Sequence, residues 1–79
     1  MEYSEDTLAK VKEAVAVVMR RDMADHEPDQ ELSLDSINRI TLIAELENKF
    51  SMEILLEDMQ PEMFSSLAAI SDFVEGSRR

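Results

Sequence analysis

Leu32-Ser33-Leu34-Asp35-Ser36-Ile37-Asn38-Arg39-Ile40-Thr41-Leu42-Ile43-Ala44-Glu45-Leu46-Glu47-Asn48-Lys49-Phe50 is the stretch that decides the fold. Aspartate caps helices well because its carboxylate accepts from the free amides of the first turn, and no Pro or Gly interrupts the run from Ile37 to Phe50. A helix opening at Asp35-Ser36 and ending near Phe50 is therefore expected. At 100° per residue Leu42, Ile43, Leu46 and Phe50 fall on one side and make the ~100° stripe that a core-facing helix needs. Ile37, Ile40 and Ala44 fall on an adjoining arc, alternating with Thr41, Glu47 and Asn48, so the apolar sector is roughly twice the width of one seam. Two readings of that extra arc stay open. It is covered by the preceding loop or a neighbouring short helix, or it is an exposed strip that docks a protein partner. Arg39 projects toward the core side near the helix start, where it snorkels or pairs with a nearby carboxylate.

Upstream, residues 22–35 carry Pro28 and the charges of Asp25, Glu27, Asp29 and Glu31, and have few apolar side chains before Leu32 and Leu34. They read as a long loop pinned by those leucines. Before it, Leu8, Val11, Val15 and Val18, with Met19 beside them, recur at three-and-four spacing, so a first helix runs from an N-cap at Ser4 to about Arg21. Glu5 and Asp6 suit its positive end, and Arg20-Arg21 its negative end. Downstream, Ser51-Met52-Glu53-Ile54 is a linker, and Leu55 to Met59 has room for one or two helical turns before Pro61. Ser65 or Ser66 caps a last helix in which Leu67, Ile70 and Val74 share a face with Phe73 beside it, and Gly76 is placed to end it at C′. With one Gly and two Pro in the chain, hairpin turns lack the residues they need. The expected fold is all-α: a small four-helix bundle of three main helices plus one short helix, with a long first loop, residues 1–79 forming one domain.

Composition narrows the function. A net charge of −10 makes a phosphate-tracking nucleic-acid surface or an anionic-membrane patch a poor fit and points to basic proteins as partners. The 44% hydrophobic content beside 33% charged residues is that of a folded chain and not of an acidic tail. There is no cysteine, which excludes disulfides, thiolate metal sites and a cysteine nucleophile. No apolar run approaches the ~18 residues of a membrane span, and the acidic start does not resemble a signal peptide, so a cytoplasmic, monomeric protein is expected. No catalytic or metal site stands out. His26 is a lone loop histidine. The acidic loop lacks the spaced oxygens and turn glycine of a calcium hand, and six methionines read as adaptable core filler.

Ser36 is the residue with chemical potential. A serine at a helix N-terminus meets free backbone amides and the positive end of the dipole, which favour a phosphate on or near its hydroxyl. By itself Asp-Ser before an apolar run signals only a capped helix. The context adds to it. A first helix, a long acidic loop, Asp35-Ser36-Ile37 opening the second helix, Phe50 closing it, and Pro61-Glu62-Met63-Phe64-Ser65-Ser66-Leu67 leading into the last helix together resemble the acyl carrier protein family and the related peptidyl carrier domains. The resemblance spans nearly the whole chain. It implies phosphopantetheine on Ser36, acyl or aminoacyl groups held on that arm as thioesters, and Asp35 helping a phosphopantetheinyl transferase bind magnesium. It also implies a docking face at Ile37, Arg39, Ile40, Thr41 and Ala44 for the transferase, for an acyl- or aminoacyl-loading enzyme, and for an acyltransferase or ketosynthase. Such a carrier is not itself an enzyme.

The chain departs from the family pattern in three places. Ser33 stands where a Gly is usual. Asn38 and Thr41 stand where housekeeping fatty-acid carriers place acidic residues. The pattern Asp35-Ser36-Ile37-x-Arg39 looks more like carriers of polyketide and related specialised pathways. A stand-alone specialised carrier is thus expected, with a housekeeping fatty-acid carrier or an unmodified acidic helical adaptor as the alternatives.

Overall fold

The structure is a computed structural model that describes residues 3–55 and 60–77. It is all-helical. Three α-helices, α1 (Glu5–Met19), α2 (Ser36–Phe50) and α3 (Leu67–Ser77), are joined by a long first loop and by a second connection holding a 3-10 turn at Pro61–Phe64. Among the described residues there is no strand, only an isolated antiparallel bridge between Glu31 and Ser66. The short helix expected over Leu55 to Met59 is not seen at Leu55, which is non-helical, and residues 56–59 lie outside the described residues. Among the described residues there are three α-helices and a 3-10 turn, and the short fourth helix falls on residues outside them.

Helix ends follow local chemistry. Ser4 and Asp35 are both extended and accept from the amides of Thr7 and Asn38 respectively, so each N-cap falls where its side chain predicts. At the other ends Arg20 and Ser51 turn left-handed, with φ of 56° and 50°. The amides of both Arg20 and Arg21 then reach Ala16 O, which closes α1 earlier than the expected Arg21. Ser66 caps α3, its Oγ accepting from Ala69 N at 3.1 Å, whereas Ser65 Oγ donates to Glu62 O. Gly76 departs from expectation. It lies inside α3 and no glycine has positive φ, so it is a helical residue and not a C′ cap.

α1 packs against both α2 and α3. Val11, Ala14 and Val15 meet Leu42, Ile43, Leu46 and Phe50 of α2 and Leu67, Ile70 and Val74 of α3, all buried. The four α2 residues are the stripe expected from spacing. Met23, Leu32, Ile54 and Phe64 seal the core from the connections. Met23, only 2% exposed, sits in a stretch otherwise rich in charge. The long loop is fixed to the start of α3 by main-chain bonds from Leu32 N to Ser65 O and from Ala68 N to Pro28 O, each 2.8 Å. Both N-terminal and C-terminal ends of the bundle meet where Ser4 N donates to Glu75 Oε2 at 3.0 Å.

Candidate functional site

The start of α2 gathers the residues singled out in sequence. Asp35 is the cap, its Oδ1 accepting from Asn38 N at 2.7 Å, and its carbonyl accepts Arg39 N at 3.0 Å. Ser36 is the first helical residue and is exposed. A helix leaves its first amides without intrahelical acceptors. Here the cap takes the amide of Asn38, and the amides of Ser36 and Ile37 make no hydrogen bond among the described residues. An exposed hydroxyl thus stands beside two unspent N–H groups at the positive end of a helix dipole, with no acidic side chain in the first turn of the helix.

Arg39 is half-buried and pairs with no carboxylate among the described residues, so the expected ion pair is not seen. Its guanidinium folds back toward the helix start, with Nε donating to Asp35 O and Nη2 to Ser36 Oγ, each at 3.4 Å. Residues three and four apart share a helix face, which brings this cation to the hydroxyl.

The extra apolar arc is exposed. Ile37 is 74% and Ile40 58% accessible, and Ala44 and Thr41 are exposed as well. Thr41 Oγ1 donates to Ile37 O at 3.0 Å, so its hydroxyl is spent within the helix and adds little polarity to the strip. Val17 of α1, 58% exposed, was not among the residues expected here. It joins Ile37, Asn38 and Thr41 in lining a groove of about 470 Å³ between the end of α1 and the start of α2. The signal for Val17 was the run Ala14-Val15-Ala16-Val17-Val18-Met19, too wide for a single seam. His26 stays apart in function: its Nε2 lies 3.3 Å from Gln30 O, a contact internal to the long loop. No described helix is long and apolar enough to cross a membrane.

Residues 9–74 match a family model described as a phosphopantetheine attachment site. The match takes in α2 whole, the long loop, and nearly all of the apolar residues that build the core.

Proposed function

Because this chain belongs to the phosphopantetheine-attachment family of acyl and peptidyl carrier proteins, we propose that Ser36 is the serine that carries the arm. The family's cofactor is phosphopantetheine held covalently on a serine. The observation that carries the assignment is an exposed Ser36 hydroxyl at the first position of α2, beside the unspent amides of Ser36 and Ile37. These groups suit a phosphodiester, because partial positive charge is already arranged where its negative charge arises and no reorganisation is required. The bound arm supplies a terminal thiol on which an acyl or aminoacyl group is carried as a thioester. Everything else falls to the polypeptide, which is a carrier and not itself a catalyst.

In this reading each residue of the first two turns has a task. Asp35 holds the helix start with Oδ1 and offers its carboxylate charge to the magnesium used by the phosphopantetheinyl transferase. Ile37, Ile40, Thr41 and Ala44 form the apolar strip on which the transferase and the loading and transfer enzymes dock, with Arg39 at its rim. Exposed aliphatic side chains in a row on one helix are costly unless a partner covers them, which supports docking over mere surface variation. Residues 1–79 are read as holding one carrier domain that acts as a monomer.

We place the carrier in a specialised polyketide or related pathway. Neutral Asn38 and Thr41 and cationic Arg39 lower the negative potential along α2, and charge complementarity governs encounter rate and the rejection of wrong partners. Elongation by a housekeeping fatty-acid synthase should accordingly be slow at low salt. Elongation as fast as that of an authentic fatty-acid carrier, measured side by side, would support the housekeeping alternative instead.

Intact mass after coexpression with a phosphopantetheinyl transferase tests the central assignment. The wild-type chain should gain one phosphopantetheinyl group. Ser36→Ala should stay at apo mass with its helical circular dichroism retained. Modification of Ser36→Ala would place the arm on another serine, and an unmodified wild type would favour the adaptor reading.

A further inference from the structure

We infer, resting on Ser36 as the attachment point, that Arg39 is a positioning residue that grips the phosphodiester formed there. The guanidinium is in place before any phosphate arrives. Nη2 lies 3.4 Å from Ser36 Oγ and Nε 3.4 Å from Asp35 O, both long contacts to uncharged acceptors. In a chain with eighteen acidic residues, Arg39 makes no ion pair among the described residues, while the two pairs that do form use Lys10 and Lys49. A full positive charge is thus held against a neutral hydroxyl.

Helix architecture does not require this geometry. The carbonyl of Asp35 already accepts the backbone amide of Arg39 at 3.0 Å, and the cap is completed by Asp35 Oδ1. Esterifying Ser36 Oγ sets the non-bridging phosphate oxygens one P–O bond beyond the hydroxyl oxygen, within the sweep of a guanidinium already touching that oxygen. Arginine suits the task because its planar fork matches phosphate oxygens two at a time. The same cation offsets Asp35, whose carboxylate lies at the same helix end and repels a phosphate. With the amides of Ser36 and Ile37 on the backbone side, Arg39 closes the anion from the side-chain side.

The test compares wild type and Arg39→Gln, each as full-length apo and holo protein, with intact mass establishing modification of every sample. Gripping makes conversion to the holo form more stabilising in wild type than in Arg39→Gln, by about 2–4 °C in melting temperature at low salt. The difference should shrink at about 0.5 M salt. It should be accompanied by a 31P shift that differs between the two holo proteins. In wild type alone, the Arg39 Nε–Hε resonance should move on conversion from apo to holo, a readout that needs no variant to fold. Equal apo-to-holo changes in both proteins, with an unmoved Arg39 resonance and full modification by mass, would overturn the role of Arg39 and leave Ser36 as the attachment point. Absence of the mass gain on Ser36 in wild type would overturn both.

Discussion

Exchanging one exposed and one buried aliphatic residue of α2 separates docking from folding. Ile40 is 58% accessible, so about four-tenths of its side chain is out of water. Full burial of an isoleucine is worth ~1.5–3 kcal/mol, which scales to roughly 0.6–1.3 kcal/mol at this position. Glutamate is a somewhat better helix former than isoleucine, which returns a few tenths of a kcal/mol. Ile40→Glu should therefore cost about 1 kcal/mol or less. Leu46 is 0% accessible and belongs to the core that α2 builds with α1. Its truncation to alanine removes the transfer free energy and leaves a cavity, at ~2–5 kcal/mol. A domain of this length has only about 4–12 kcal/mol of stability, so Leu46→Ala removes a large share of it. Urea unfolding followed by circular dichroism, at constant slope, measures both. Rates of modification and of acyl transfer, measured on folded protein, should fall several-fold for Ile40→Glu. A midpoint for Ile40→Glu as low as that of Leu46→Ala would mean the arc is buried. Unchanged rates would remove α2 as the docking face.

Two further outcomes bear on the ends of the helices. Asp35→Ala strips the cap from the Asn38 amide and should cost about 1 kcal/mol, whereas Asp35→Asn keeps a capping oxygen and should be nearly neutral in stability. Both should be modified slowly if the carboxylate serves the transferase, and normal modification of Asp35→Asn would reduce Asp35 to a cap. Gly76→Ala should raise stability by about 0.4–1 kcal/mol in thermal or urea unfolding, because Gly76 is helical without positive φ and an added Cβ meets nothing within 4 Å. A loss of stability there would contradict a helix continuing through that residue.

What the sequence made legible was local. The Asp35 cap, the uninterrupted run to Phe50 and the 3.6-residue spacing located α2 and its buried stripe of Leu42, Ile43, Leu46 and Phe50, since each depends only on neighbours along one helix. Gly76 was misjudged because a glycine near the end of an apolar pattern stops a helix only if the backbone turns left-handed there. In this chain Arg20 and Ser51 make such turns instead. Met23 could not be read at all. Its burial depends on α1 and the loop closing around it, and a single apolar residue among charges carries no period. Arg39 forms no ion pair among the described residues for a related reason. Its angular position on the helix was fixed by spacing, but a long side chain reaches a full turn, and the carbonyl and hydroxyl behind it decided where the charge came to rest.

The main-chain bonds that tie the long loop to the start of α3 bear on how recognition is driven. Leu32 N to Ser65 O and Ala68 N to Pro28 O hold the approach to Ser36 from one side, and the cap of α2 holds it from the other. Ser36 and the apolar strip are consequently offered as one rigid shape. Ordering a loop on association consumes part of the gross contact energy, and a surface that is already ordered avoids that loss. Small contacts then give sufficient affinity because little ordering entropy is lost at each encounter, and the smallness of the contact keeps release fast for successive enzymes.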